Sequence, residues 1–160
     1  MRLYLIRHAE AVGRGSPGAG REFDRALTAH GHAQTRALAE AFARLKLTVD
    51  EVVSSPLVRA YQTATGLLDV WRPGARPVTH DALAPDRLKP GKLSEFLAER
   101  GSAVAAVGHM PDLGAYAEWL LGAPADSIQL AKAAAACIEF KSDPAKGEGK
   151  LLWLVPPDFL

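Results

Sequence analysis

The stretch from Arg2 to Glu10, RLYLIRHAE, changes character in the middle. Leu3 to Ile6 are all apolar or aromatic, as expected for a strand that is buried on both faces of a parallel sheet. Arg7 and His8 then follow without an intervening turn. A core strand that ends in an arginine and a histidine indicates a functional role for the residues at its carboxyl end.

Segments of strand and helix character alternate along the rest of the chain. The segments 50–55 (DEVVSS) and 102–110 (SAVAAVGHM) are short and apolar, and each leads into a helical pattern. Residues 77–80 fit a short edge strand. Alternation of this kind predicts a single-domain, three-layer α/β/α fold over residues 1–160 with a mainly parallel sheet. The last two strand-like segments, 133–141 and 149–156, predict a C-terminal antiparallel hairpin.

Caps and breakers place the helices between these strands. Thr28 is a good N-cap, Pro56 fits the first helical position after a capping Ser55, and Gly101 and Gly122 end two helical patterns. The predicted helices are 29–47, 56–71, 92–101 and 111–122.

The composition limits the classes of partner. The chain has 160 residues, 48% of them hydrophobic and 23% charged, with a formal net charge of +1. No broad basic field exists to attract nucleic acid or an acidic membrane. Cys137, the single cysteine, lies in an apolar run and is expected in the core. Without a disulfide, a signal peptide or a stretch of membrane-spanning length, we expect a cytoplasmic protein.

Polar residues recur where buried strands end. Arg7 and His8 follow the first strand, Gly108 and His109 follow the third, and Arg59 lies in the first turn of the helix after the second. A single histidine or arginine at such a position is usually only a solvated polar residue. The recurrence predicts a site instead, because the carboxyl ends of parallel strands meet at the edge where α/β proteins bind ligands.

Four segments resemble the signatures of one family. LIRHAE, DRALTAHGHAQ, SSPLVRAYQTA and AVAAVGHMP are similar, in this order, to the motifs of the histidine phosphatase superfamily, also called phosphoglycerate-mutase-like. The short chain and the R-x-L-T pattern resemble the SixA-type phosphohistidine phosphatases most. The resemblance implies a phosphoglycerate-mutase-like fold and a phosphatase activity.

The resemblance also implies a role for each matching residue. His8 would be the nucleophile that becomes phosphohistidine, and a hydrogen bond to a loop carbonyl would fix its tautomer. Arg7, Arg59 and Arg25 would bind phosphate oxygens, and a charged His109 would be a further donor. Such a site needs no metal and no cofactor, and we see no carboxylate cluster suited to Mg²⁺.

The matching motifs do not include a general acid. Asp81 and Asp86 are the candidates, but neither lies in a matching motif. An imidazole leaving group, with a pKa of about 6.5, needs less protonation than an alkoxide. A phosphohistidine-bearing protein is therefore the expected substrate. A phosphatase for small phosphate monoesters, with Asp81 or Asp86 as acid, is the alternative, followed by a non-catalytic phosphate-binding module. A mutase is a less favoured enzyme option.

The length of the chain bears on access to the site. Beyond the loop 12–24 and the stretch 71–90, little is left to form a lid, so we expect an open cleft suited to a protein substrate. Further polar residues are interpreted as follows: Ser55 and Thr28 as caps rather than ligands, Arg14 and Arg21 as solvated, His30, His32 and His80 as surface residues, and Lys132 as undecided.

Overall fold

The computed structural model describes residues 1–17 and 19–159. These residues form six strands, four α-helices and three short 3-10 helices. The strands and α-helices are, in chain order, β1 Arg2–Arg7, α1 Ala29–Arg44, β2 Glu51–Ser54, α2 Val58–Trp71, β3 Val78–Thr79, α3 Pro90–Ala98, β4 Ala103–Gly108, α4 Asp112–Leu121, β5 Ala135–Glu139 and β6 Lys150–Val155.

The strands form one sheet in the order β3-β2-β4-β1-β5-β6. The first four are mutually parallel, while β5 and β6 are antiparallel to their neighbours, which confirms the predicted C-terminal hairpin. Arg7 of β1 lies opposite Gly108 of β4. The backbone N–H of His8 donates to the Gly108 carbonyl at 3.0 Å. The two strand ends noted in the sequence are therefore adjacent.

Helices cover both faces of the sheet, as the three-layer prediction requires. Leu3 and Leu5 of β1 pack in one apolar cluster with residues of α3 and α4. Tyr4 and Ile6, which point to the opposite face, pack in a second cluster with residues of α1 and α2. Burial on both faces explains why the first strand has a continuous apolar sequence rather than an alternating one. Cys137 lies in the second cluster, as predicted.

The boundaries of α1, α2 and α3 differ from the prediction. α1 ends at Arg44, before Lys46 takes a positive φ of 54°. α2 begins at Val58, so Ser55 is not its N-cap. α3 begins at Pro90, whose fixed φ suits a first helical turn, and ends before Gly101, which has a φ of 127° and lies against the Asp50 side chain. Gly122 ends α4 in the left-handed conformation, as predicted.

Within the described ranges, no helix is both long enough and apolar enough to span a bilayer.

Candidate active site

The two histidines predicted at the strand ends meet. The rings of His8 and His109 have centroids 4.9 Å apart. Both are buried, with exposed fractions of 6% and 3%. Arg59 at the start of α2 is also only 3% exposed. The key side chains thus lie beneath the surface. The open cleft expected from the chain length stays a prediction.

A backbone carbonyl orients the imidazole of His8. Nδ1 lies 2.7 Å from the Ala9 carbonyl oxygen. Because a carbonyl can only accept, Nδ1 carries the ring proton and Nε2 carries the lone pair. Nε2 is 3.3 Å from Nε of Arg59, which can donate to it. The expectation that a loop carbonyl sets the tautomer is therefore confirmed.

His8 is neutral in these surroundings. Burial lowers the pKa of His8 to about 4, and the positive charges of Arg59, Arg7 and Lys132 act in the same direction. The hydrogen bond to the Ala9 carbonyl opposes them without reversing the shift. A neutral imidazole with its lone pair on Nε2 has the protonation state that a nucleophile requires.

His109 differs from the prediction of a charged donor. Burial, followed by the charges of His8, Arg59, Arg7 and Arg25, lowers its pKa to about 3, so the ring is neutral near pH 7. Its Nε2 lies 2.9 Å from the Ser55 hydroxyl. Among the residues that the structure describes, its buried Nδ1 has no hydrogen-bond partner.

Ser55 supports both His109 and the start of α2. Besides its contact with the His109 ring, the Ser55 hydroxyl accepts a hydrogen bond from the Leu57 backbone N–H at 3.3 Å. It is therefore a neighbour of the site rather than the helix cap that the sequence suggested.

Arg7 and Arg25 are the other two arginines that the sequence predicted for the site. Arg7 donates from one terminal nitrogen to the Leu130 carbonyl at 2.8 Å, and within the described ranges its buried Nε has no partner. Burial lowers the pKa of both Arg7 and Arg59. Arg25 donates to the Val12 carbonyl at 3.1 Å. The structure thus brings all five predicted site residues to one edge of the sheet.

Glu22 is a site residue that the sequence reasoning missed. Its carboxylate lies 2.9 Å from Arg59, 3.2 Å from Arg25 and 3.0 Å from Arg14. Burial opposes its ionisation, but the charges of these arginines outweigh burial and lower the pKa of Glu22. The available signal was one glutamate in an arginine-rich loop, three residues before Arg25.

Comparison with protein families identifies the chain. Residues 3–84, just over half of the sequence, match the model of the histidine phosphatase superfamily, branch 1. The chain belongs to this superfamily. The match includes the RHAE, R-x-L-T and SSPLVRA segments and confirms the prediction of a histidine phosphatase.

Solved structures share the fold over nearly the whole chain. The structure of the protein histidine phosphatase SixA complexed with tungstate has a TM-score of 0.84 at 23% identity, covering 99% of each chain. The putative phosphohistidine phosphatase SixA from Agrobacterium tumefaciens has a TM-score of 0.76 at 24% identity, covering 98% of this chain and 97% of that one. These likenesses confirm the predicted phosphoglycerate-mutase-like α/β fold.

A sequence relative comes from Picosynechococcus. This uncharacterized protein is 38% identical over 125 residues, which is 74% of this chain and 72% of the relative.

Neither candidate acid of this histidine phosphatase contacts His8. Asp81 is exposed in the 3-10 turn Asp81–Leu83. Asp86 is exposed, and its backbone N–H donates to the Asp112 carboxylate at 2.8 Å. In the part of the chain that the structure describes, neither carboxylate bonds to His8, His109 or a site arginine. In the same part, no cluster of three or more histidine, cysteine or acidic residues is arranged to hold a metal ion.

Thr28, Lys132 and His80 lie in three different surroundings. Thr28 caps α1, since its hydroxyl accepts the Gly31 N–H at 3.0 Å. Lys132 is exposed, yet its charge lowers the pKa of His8, which places it near the site. His80 is half-buried rather than on the surface, because its Nδ1 accepts the Ala82 N–H and its ring lies 4.3 Å from that of Phe96.

The surface predictions hold for the loop arginines and for the other two histidines. Arg14 and Arg21 have side chains that are 80% and 87% exposed, although Arg14 also reaches Glu22. His30 and His32 are exposed on the first turn of α1.

Three further motif residues hold the backbone around His8, and the sequence reasoning gave them no role. Gln34 accepts the Glu10 N–H at 3.0 Å, within the same peptide group as the Ala9 carbonyl that orients His8. Thr63 accepts the Ala9 N–H at 3.1 Å. Gln62 accepts the Leu27 N–H at 2.8 Å. Their fixed positions in the quoted motifs were the signal for this role.

Proposed function

We propose that the protein is a phosphohistidine phosphatase that acts on a cytoplasmic phosphohistidine-bearing protein through a covalent phospho-His8, without a metal. The orientation of His8 carries this proposal. Nδ1 is held 2.7 Å from the Ala9 carbonyl, so the lone pair of Nε2 is directed toward Arg59. A neutral, oriented imidazole beside a buried guanidinium combines a nucleophile with a phosphate-binding group.

Unpartnered buried nitrogens around His8 favour a ligand with several oxygens. Among the described residues, Nε of Arg7 and Nδ1 of His109 are buried without hydrogen-bond partners. Buried polar atoms rarely lack partners, and phosphate oxygens would satisfy both. The similar SixA fold has been solved with tungstate, which is also a tetrahedral oxyanion.

The reaction proceeds in two displacements. Nε2 of His8 forms a bond to phosphorus while the phosphorus–nitrogen bond of the substrate breaks. The leaving imidazole nitrogen takes a proton from water. In the second step, a water oxygen bonds to phosphorus and its released proton neutralises the hydroxide left by the first step. The electron pair of the phosphorus–nitrogen bond returns to Nε2, and the products are inorganic phosphate and free His8.

His109 becomes useful as a donor when phosphate is present. In the absence of phosphate, burial and the neighbouring positive charges hold the pKa of His109 at about 3. A nearby phosphate dianion favours the protonated form of an imidazole. We therefore expect His109 to gain its proton together with the substrate and to donate from Nδ1 to a phosphate oxygen.

The leaving group favours phosphohistidine over a phosphate monoester. Departure of an alkoxide calls for a positioned acid, whereas an imidazole with a pKa of about 6.5 is a much weaker base and leaves with less assistance. Neither Asp81 nor Asp86 is bonded to the described site residues. Monoester hydrolysis remains the alternative, since phosphoserine phosphatase from Entamoeba histolytica shares the fold with a TM-score of 0.71 at 16% identity.

A phosphoenzyme trap tests the proposal. The protein is incubated with a labelled phosphohistidine protein, and acid-labile label on the enzyme is measured. We expect label on the wild type and on the matched control His32→Ala, which changes an exposed histidine, and none on His8→Ala. Circular dichroism checks that each variant folds.

The same preparations separate the alternatives. Equal turnover of a phosphoserine peptide and a phosphohistidine protein would contradict the substrate assignment but retain the phosphatase. A wild type that binds phosphate without labelling or turnover would instead indicate a binding module.

A further inference from the structure

The Glu22 carboxylate is surrounded by the guanidinium groups of three arginines. Oε1 lies 2.9 Å from a terminal nitrogen of Arg59, while Oε2 lies 3.2 Å from Nε of Arg25 and 3.0 Å from Nε of Arg14. Of these three, Arg59 and Arg25 are the two to which we assign phosphate binding.

Arg59 has no nitrogen that is without a protein partner. Its Nε faces His8, one terminal nitrogen donates to the Glu22 backbone carbonyl at 2.9 Å, and the other donates to the Glu22 carboxylate at 2.9 Å. The two terminal nitrogens form the fork that binds carboxylates and phosphates alike. One residue of the loop therefore occupies the fork through both its side chain and its backbone.

We infer that Glu22 is an internal anion that competes with the substrate phosphate for Arg59 and Arg25, and so determines which anions the site accepts. The inference rests on the proposed phosphate site. A ligand with two negative charges can displace one carboxylate from these guanidinium groups, whereas a singly charged ligand gains no such advantage. Glu22 would thus select for a phosphoryl dianion.

The exposure of Glu22 is compatible with its release. Its side chain is 42% exposed, whereas that of Arg59 is 3% exposed, so Glu22 can move into water while Arg59 stays in place. Glu22 also remains charged at neutral pH, because the surrounding arginines outweigh burial and lower its pKa. A competitor that is always ionised acts across the whole neutral range.

Phosphate binding to matched variants tests the inference. Glu22→Gln keeps the size of the side chain and removes its charge. Asp24→Asn removes the same charge two residues away, where the partner is the exposed Arg21 at 2.9 Å. The dissociation constant of inorganic phosphate is measured by isothermal titration calorimetry. Since Glu22 is partly solvated, we expect binding about three- to tenfold tighter in Glu22→Gln. Asp24→Asn should match the wild type.

Other outcomes are distinguishable. Unchanged phosphate affinity in Glu22→Gln would overturn the inference, and weaker affinity would show that Glu22 positions Arg59 instead of competing for it. In both cases the phosphate site itself stands if the wild type binds and Arg59→Lys does not. If neither the wild type nor Glu22→Gln binds phosphate, the proposed site fails, and the inference fails with it.

Discussion

At the scale of single residues, a peptide group rather than a second side chain orients the His8 ring. The Ala9 carbonyl holds Nδ1, and Gln34 holds the N–H of the same peptide group. Backbone atoms orient a ring without adding a titratable group. The tautomer of His8 therefore does not change with the ionisation of a neighbouring carboxylate.

Arg59→Lys tests the geometry of the guanidinium rather than its charge. Lysine keeps the positive charge but lacks the rigid fork and the Nε donor that faces His8. Because charge-assisted hydrogen bonds contribute about 1.5–3 kcal/mol each, we expect kcat/KM to fall by about 100-fold. Steady-state kinetics on a phosphohistidine protein measure the change. Arg21→Lys, on an exposed arginine, is the control, and an equal loss in both variants would contradict the assignment.

The two buried histidines predict how stability depends on pH. Their pKa values of about 4 and 3 lie below the value of about 6.5 expected in the unfolded chain. At a pH between the folded and the unfolded pKa of each histidine, the unfolded chain binds a proton that the folded protein does not. The free energy of unfolding therefore falls as pH drops below about 6.5. Above that pH the two histidines contribute no pH dependence.

His109→Gln isolates one of these contributions. From pH 7 to pH 5, the free energy of unfolding of the wild type should decrease by about 2 kcal/mol more than that of the variant. Urea denaturation at both pH values measures the difference. Parallel behaviour of the two proteins would mean that His109 titrates normally when folded. His30→Gln, at an exposed position, should leave the pH dependence unchanged.

At the scale of elements, the start of α1 approaches the segment after β1 very closely. A Cβ atom at Gly31 would lie 2.0 Å from the Glu10 carbonyl oxygen. That carbonyl also accepts the Thr28 N–H at 3.0 Å. Gly31 of the motif DRALTAHGHAQ is therefore required because two backbone segments approach closely beside His8. Its φ is not in the positive region, so backbone conformation is not the reason for a glycine here.

Gly31→Ala should separate α1 from this segment. We expect the free energy of unfolding to fall by about 2–3 kcal/mol, and activity to fall as well, because Glu10 belongs to the peptide group that orients His8. Denaturant unfolding and kinetics measure both effects. Gly91→Ala in α3 is the matched control: no heavy atom lies within 4 Å of its Cβ, so a gain of about 0.5–1 kcal/mol is expected. A similar response at both glycines would contradict the steric argument.

Strand ends were predictable from the sequence, whereas side-chain partners across loops were not. The apolar runs before His8 and His109 form neighbouring parallel strands, and this pairing by itself brings the two rings together. Ser55 illustrates the limit, since its local sequence fits a cap, while its contact with His109 depends on how β2 lies beside β4. The position of Glu22 depends on the path of a loop, which no periodic pattern encodes.

At the scale of the molecule, the core and the site occupy different parts of the sheet. The apolar clusters lie on its two faces, and the charged groups collect at the carboxyl edge of β1 and β4. Although the net charge of the whole chain is only +1, arginines outnumber acidic residues at this edge of the sheet. The assignment of residues 1–160 to a single domain and a cytoplasmic location both stay predictions.

Binding at this edge should stabilise the whole fold, because the unfolded chain cannot assemble residues that come from distant parts of the sequence. Phosphate at 100 times its dissociation constant should raise the free energy of unfolding by about 2.7 kcal/mol. For a chain of this length, Tm should rise by about 5–10 °C. Thermal unfolding monitored by circular dichroism measures the shift against chloride at equal ionic strength. Phosphate also stabilises proteins non-specifically, because it is excluded from their surface. In Arg59→Lys, only this non-specific part of the Tm shift should remain. A shift as large in Arg59→Lys as in the wild type would show that phosphate does not act through the guanidinium fork.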